Sequence, residues 1–348
     1  MSATAETPRS AYAQAGVDIE AGQKATHLMK TAVQATYNTA VLAGLGSFGG
    51  LYDLSAVRQE MSAPILVAST DGVGTKTRVA ARLNQWGSIG HDIVNHCIND
   101  ILVQGARPLF FLDYVASSQL DPEQIATIVR GIATACQAAN CALLGGETAE
   151  MPGVYQEHEV DLVGTIIGVV DRQHLIDGSR IEVGDVILGL PSSGLHTNGY
   201  TLARAALAEE SWLEPHPELG EPLGKLLLTP HRSYLPQIQR LQEMEIDIHG
   251  LAHITGGGIV DNLPRVLPAG TAAHIDRTTW TPPPLFELIQ RRGNVSDSEM
   301  FRVFNMGLGM LLVISPTQLS LVQKILGDDV LPVGQIVAGE PSVTIGEA

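Results

Sequence analysis

The sequence predicts an α/β protein, mixed α+β in detail, built as two domains. Strand-like apolar runs alternate with helical stripes through the first half, the pattern of layered sheet and helices. A polar stretch, "DRQHLIDGSRIEVGD", then interrupts the series, and a second series of strands and helices follows it. The chain has 348 residues, 45% hydrophobic and 17% charged, enough for two buried cores. The expected division places residues 1–172 in an N-terminal domain and 173–348 in a C-terminal α/β domain.

From Ala25 to Val41, the residues Leu28, Met29, Ala32, Val33, Ala40 and Val41 recur at helical spacing. One amphipathic helix is expected there, ending at the glycines near Gly44, with Lys24 and Lys30 off its apolar stripe. "PILVAST" reads as a buried strand, followed by the turn "DGVGTK". In "HDIVNHCINDILVQGARP", Ile93, Val94, Cys97, Ile98, Ile101 and Leu102 share one helical face, and Gly105 and Pro108 stop the helix. Asn95 and Asn99 fall opposite that face, with Asp100 at its edge. "PLFFLDYVA" is strand-like, and Asp121 as N-cap before Pro122 opens the next helix. "CALLGG" and "VDLVGTIIGVV" are further strands. In the second half, Asp185 to Leu190 is a strand, and helix starts are expected at Thr229-Pro230 and at Ser296. Ser296 has capping-box spacing to Glu299. "TWTPPPLF" is a stiff connection.

With 21 basic against 37 acidic residues, the formal charge is −16, which argues against nucleic acid or an anionic membrane as the main partner. An anionic substrate then needs locally placed cations. Cys97, Cys136 and Cys141 make no CxxC pair, so a reducing cytoplasm fits better than a disulfide frame or a zinc site. The N-terminal stretch lacks an apolar h-region and no apolar run is long enough to span a bilayer, so a soluble cytoplasmic protein is expected.

Two glycine clusters compete as phosphate loops. "GLGSFG", Gly44 to Gly49, satisfies GxGxxG, but the segment before it has helical spacing and the segment after it is short for a crossover helix. A flexible glycine loop is expected there instead of a nicotinamide site. "DGVGTK" follows a strand but is not a P-loop. Gly72 and Gly74 allow backbone N–H groups close to an anion, Thr75 adds a hydroxyl and Lys76 a charge. Asp71 would repel phosphate unless a divalent cation lay between them, which suggests Mg²⁺-nucleotide. An ordinary glycine turn with a solvated Asp71 and Lys76 is the alternative.

Asp100, an acid in an otherwise apolar helix, calls for a cation, a cap or a salt bridge, since burying it unpaired is costly. Glu147 and Glu150 stand in "GGETAEMPG". In the second half, "PSSGLHTNGY" offers Ser192, Ser193, His196, Thr197 and Asn198 in a turn after a strand. "HITGGGIVDNLP" offers His253 and Thr255, then Gly256, Gly257 and Gly258 opening a helix as an anion seat. "NMGLGM" reads as a strand with close backbone packing. No GxSxG, HExxH or basic-aromatic stripe appears, which narrows the chemistry to phosphate.

Together, "YAQAGVDIEAG", "STDGVGTKT", "NDILVQGARPLFFLDY", "GGETAEMPGVY", "GLPSSGLHTNGY" and "AHITGGGIVDNLPRVLP" closely resemble the phosphoribosylformylglycinamidine cyclo-ligase (AIR synthetase) family, in order and over nearly the whole chain. The resemblance implies a homodimer of two-domain subunits, with the N-terminal sheets pairing and ATP bound near the interface. It implies ATP- and Mg²⁺-dependent ring closure of formylglycinamidine ribonucleotide (FGAM) to aminoimidazole ribonucleotide (AIR) in purine synthesis, through a phosphorylated formyl oxygen.

Carried over by motif, Asp71, Gly72, Gly74, Thr75 and Lys76 attend the ATP phosphates and Mg²⁺. Asn99, Asp100 and Glu147 are further nucleotide or metal residues, with Asp71, Asp100 and Glu147 as the ligands, and Lys30 is an ATP contact. His196, Asn198 and Thr255 to Gly258 surround the ribonucleotide, with His253 the proton-transfer group and Lys76 and Asp71 also catalytic. Selenophosphate synthetase would carry a reactive Cys near its N-terminus, whereas the first here is Cys97. Thiamine-monophosphate kinase lacks the "SSGLHTNGY" and "HITGGGI" wording.

Overall fold

The structure is a computed structural model and describes residues 18–346. The opening of "YAQAGVDIEAG" and the start of the expected N-terminal domain lie outside the described residues. Helix α1, Ile19–Gln34, starts at Asp18, whose side chain accepts from the Glu20 and Ala21 amides at 3.0 and 3.2 Å. It buries Ala25, Met29 and Val33, one stripe at i, i+4 spacing.

The helix does not run on to Gly44. Thr36 Oγ1 donates to Val33 O, and Asn38 Oδ1 accepts from the Ala40 amide at 3.0 Å, a local turn that competes with helix. Val41–Ala43 is instead strand β1, pairing antiparallel with β2, Leu51–Tyr52. "GLGSFG" is therefore the tip of a hairpin, and the segment before Gly44 is strand where helical spacing was read. Apolar spacing had carried the expected helix across a turn.

Helix α2, Ser55–Glu60, leads to β3, Pro64–Gly72, then α3, Lys76–Leu83, and α4, Gly87–Leu102. Strand β4, Arg107–Ser117, helix α5, Pro122–Ala138, and strands β5, Ala142–Glu150, and β6, Val160–Asp171, follow. Asp121 caps α5 as its position predicts. The four-stranded sheet has order β3-β6-β4-β5, antiparallel except for β4/β5, whose crossover is α5. Helices α4 and α5 pack together, with α4 also against β3 and β6. They meet at glycines: a Cβ on Gly90 would fall on the Ile128 carbonyl, and one on Gly131 on the Gly87 carbonyl.

The second unit contains β7, Val186–Pro191, α6, Tyr200–Ala206, α7, Leu223–Leu227, α8, Leu235–Glu243, and β8, Ile248–His253. It continues with α9, Gly258–Asn262, β9, Thr271–Asp276, α10, Pro284–Gly293, and α11, Asp297–Val303. Strand β10, Leu308–Ile314, helix α12, Leu319–Leu326, and strands β11, Leu331–Ala338, and β12, Val343–Gly346, complete it. Its sheet has order β12-β9-β11-β7-β10-β8, antiparallel except for β9/β12.

Ser296 caps α11, its Oγ accepting from the Glu299 amide at 3.3 Å. No helix starts at Thr229-Pro230. The backbone there is claimed by α4: Asn95 donates to His231 O, Asn99 donates to Arg232 O, and Tyr234 N donates to Asn99 Oδ1. Helix α8 begins only at Leu235, once those bonds are made.

Candidate active site at the domain boundary

Strand β3 ends at an exposed turn, where Asp71, Gly74 and Thr75 face solvent and Gly72 is half-buried. Helix α4 buries one apolar face in its own domain and presents a second, polar stripe of Asp92, Asn95, His96, Asn99 and Asp100. The C-terminal unit meets that stripe with three loops: the one after β7, the segment at Thr229 to Tyr234, and the end of β8.

Side chains converge there from both domains. His96 Nε2 lies 2.8 Å from Asp71 Oδ2, and its Nδ1 lies 2.7 Å from Thr197 Oγ1. Asp100 Oδ1 lies 2.8 Å from His253 Nδ1, while Asp100 Oδ2 accepts from Ser69 Oγ at 3.0 Å. His253 Nε2 is 3.1 Å from His231 Nε2, and the His231 ring stacks on His196 at 4.0 Å and 19°. All four histidines are buried.

The charges follow from these partners. Burial disfavours a charged His96, yet the bond to Asp71 and the charge of Asp100 outweigh it and raise its pKa above the ordinary value. Burial likewise opposes ionised Asp71 and Asp100, but His96 and His253 respectively hold both carboxyls below the usual range. For His253 burial wins over Asp100 and its pKa falls; His196 and His231 are driven well down by burial and by neighbouring histidines. Proton affinity in the cluster is thus raised at His96, which stands between two carboxylates, and lowered at the other three imidazoles.

The expected site residues fall in different surroundings. Lys76 is fully buried, with its Nζ on Asp92 Oδ1 at 2.8 Å, His196 O at 3.1 Å and Thr229 O at 2.7 Å, so all three of its protons point at protein acceptors. Asn99 is also fully buried, its side-chain amide donating to Arg232 O and accepting from the Tyr234 amide. Both oxygens of Asp100 have partners, Ser69 Oγ and His253 Nδ1, and its side chain is less exposed than that of Asp71. Lys30 is exposed on α1.

Glu147 is exposed on β5, with β6 and β4 between it and β3, so it stands roughly 14 Å across the sheet from Asp71 and is not brought into the histidine cluster. It lines instead a cavity of about 250 Å³ with Met29, Val33, Asp113 and Gly146. Burial pushes the Asp113 carboxyl up to about 7, and Gly146 leaves room for it, since a Cβ there would fall on the Asp113 carboxylate.

Asn198 Oδ1 lies beside Gly256, and the buried Asn198 Nδ2 and His196 Nδ1 have no protein hydrogen-bond partner. The triple glycine departs from the expected anion seat. Helix α9 is only five residues long, Asp261 packs beside Gly257, and Asn262 Oδ1 takes the Thr255 amide and hydroxyl. The close packing at "NMGLGM" is present: a Cβ on Gly309 would collide with the Tyr234 hydroxyl and the His196 ring.

A metal fit can be tested on this geometry. The ligand atoms of His196, His231 and His253 lie within 4.8 Å of one another, as do those of His96, Asp100 and His253. Stacked rings hold their in-plane lone pairs parallel, so His196 and His231 do not converge on one ion. In the second group, the nitrogens facing Asp71 and Asp100 are already in hydrogen bonds. Mg²⁺ favours carboxylate and phosphate oxygen with several waters, and Asp71, side chain 44% exposed, keeps that access.

Asp92, His96, His231 and Asp113 went unnoticed in the sequence. The signal for the first two was the i, i+4 series 92, 96 and 100 on one helix, a continuous polar stripe opposite the apolar one. His231 and Asp113 gave no comparable signal.

Two families cover most of the chain: that described as AIR synthase related protein, N-terminal domain, matches residues 54–170, and its C-terminal domain counterpart matches 182–346. Fold, site and matches together define a two-domain α/β protein of the AIR synthase-related class. Within that class the chain belongs to the phosphoribosylformylglycinamidine cyclo-ligase family. It is 49% identical over 336 residues to the protein of that name from Desulfitobacterium hafniense, covering 97% of this chain and 96% of that one. The Geobacillus kaustophilus protein of the same name is 48% identical over 340 residues, covering 97% and 95%.

Among solved structures, E. coli HypE aligns with a TM-score of 0.69 at 17% identity, covering 93% of each chain. Thiamine-monophosphate kinase from Stenotrophomonas maltophilia aligns at 0.65 and 19%, covering 92% of this chain and 96% of that one. At these identities both likenesses show the shared fold alone. A HypE structure in complex with ATP aligns at 0.63 and 18%, covering 92% and 90%.

Proposed function

We propose that the chain catalyses ATP-dependent closure of FGAM to AIR, ADP and phosphate by phosphorylating the formyl oxygen. The ligase activity itself follows from family membership along the whole chain. The observation carrying the mechanism is the pairing of His253 with Asp100 beside the exposed Asp71 turn.

In this reading the exposed turn from Asp71 to Thr75 receives the ATP phosphates, its glycines allowing close N–H approach. Asp71 would hold Mg²⁺ at this turn, where the ion would neutralise phosphate charge; Glu147, across the sheet, would hold a cation only on another part of the nucleotide. The formyl oxygen attacks the γ-phosphorus and ADP leaves; the ring nitrogen then attacks the imidate carbon and phosphate leaves. His253 donates Nδ1–H to Asp100, which sets the tautomer with Nε2 as the basic nitrogen; that Nε2 takes the proton from the ring nitrogen once the substrate displaces its 3.1 Å contact with His231 Nε2. Asn198, Thr255 and the 256–258 turn position the ribonucleotide, and the buried boundary excludes water from the imidate.

The N-terminal sheet supports a homodimer: Leu66 is 58% exposed on its outer face, where it borders an apolar hollow with Phe110, Leu112, Leu144 and Ile167. We take the division at residue 172 as the domain boundary and the cytoplasm as the location. All three cysteines are free and buried, and no described helix is long and apolar enough to cross a membrane.

The test is phosphate release from ATP with and without FGAM, in Mg²⁺ and in EDTA, with mass detection of AIR. Release that needs both substrate and metal and matches AIR one for one is expected; ATP consumption without ring closure overturns the reading.

A further inference from the structure

We propose that Lys76 is a positioning residue that fixes the C-terminal histidine loops to the N-terminal domain, and that it does not bind phosphate. An ammonium has three protons, and here each has an acceptor: Asp92 on α4, the His196 carbonyl after β7, and the Thr229 carbonyl. The side chain is fully buried, with the Tyr200 ring 5.5 Å away, so no donor remains for a ligand.

The fixation extends beyond Lys76 itself. Asp92 Oδ1 also accepts from the His231 amide at 2.7 Å. One buried ion pair therefore holds the backbones of both His196 and His231, whose rings form the stacked pair. His231 in turn touches His253 at 3.1 Å. His196 sits at φ +60°, a conformation that a non-glycine residue keeps only when its surroundings fix it. Lys76 supplies part of that fixation through the His196 carbonyl. Because Lys76 also begins α3 directly after the Asp71 turn, a single residue ties the expected phosphate loop to the histidine loops.

This inference rests on the ring-closure reading, and the experiment separates the two. Lys76→Met, Lys76→Arg and the double variant Lys76→Met/Asp92→Asn are compared with wild type. The readouts are equilibrium binding of a non-hydrolysable ATP analogue with Mg²⁺, kcat and KM for FGAM, and thermal melting. Expected for Lys76→Met is a fall in kcat of roughly 10²-fold, as small misplacements produce, with analogue Kd within about twofold of wild type.

The double variant removes the uncompensated carboxylate and recovers at least about tenfold of that turnover. Lys76→Arg keeps the charge but not the three-way bond, and loses turnover as Lys76→Met does. If Lys76→Met does not fold, the double and arginine variants give the same comparison. Analogue binding weakened about tenfold or more in both methionine variants but retained in Lys76→Arg overturns the proposal, as does a double variant no better than the single one. A wild-type protein that makes no AIR would instead sink the ring-closure reading.

Discussion

His253 and Asp100 meet across the domain boundary, Nδ1 to Oδ1 at 2.8 Å, so the proposed base comes from one domain and its orienting carboxylate from the other. Asp100→Asn keeps the shape but offers His253 an amide, which supports the wrong tautomer. We expect kcat to fall by about 10²-fold or more, with ATP-analogue affinity held. Loss of analogue binding without loss of kcat would return Asp100 to the nucleotide site.

Asp71 is half-exposed, and its Oδ1 is engaged only by the adjacent Gly72 amide, at 2.7 Å. Asp71→Asn should raise the Mg²⁺ concentration that half-saturates turnover by about tenfold or more. An unchanged Mg²⁺ titration would exclude Asp71 as a cation ligand.

Gly309 has no room for a side chain between Tyr234 and His196. Gly309→Ala should destabilise the fold by about 1–3 kcal/mol through overpacking, lowering the urea midpoint, and should reduce turnover by displacing His196. A variant with wild-type midpoint and kcat would show that both neighbours can yield.

Asp171 ends β6 and accepts from the amides of Ser62, Ala63 and Gln173. Burial pushes its carboxyl up, but those amides together outweigh this and hold its pKa below the ordinary value. Its contribution to stability is therefore present above the unfolded pKa of about 3.9 and lost as pH falls through the lower folded value. Urea midpoints of wild type and Asp171→Ala should differ at pH 7 and converge in acid. A gap that is constant with pH would remove the carboxylate from the explanation.

The strands and the capped helices were legible because their signals are local: Asp121 before Pro122, Ser296 before Glu299, and apolar runs of strand length. The α1 boundary was misread because apolar periodicity continues through Val41, while the turn is made by Thr36 and Asn38 side chains that periodicity does not weigh. Lys76 looked like a phosphate ligand because its three acceptors lie 16, 120 and 153 residues away in sequence. His231 acquires meaning only when α4 holds its backbone, so no motif could have marked it.

The polar stripe of α4 also bears on motion. At least five hydrogen bonds from Asp92, Asn95, His96 and Asn99 reach the C-terminal unit. Swinging the two units apart like jaws would exchange those bonds for bonds to water, at about 0.5–1.5 kcal/mol each. The two units thus share one hydrogen-bonded seam, and the residues that line it belong to both domains at once.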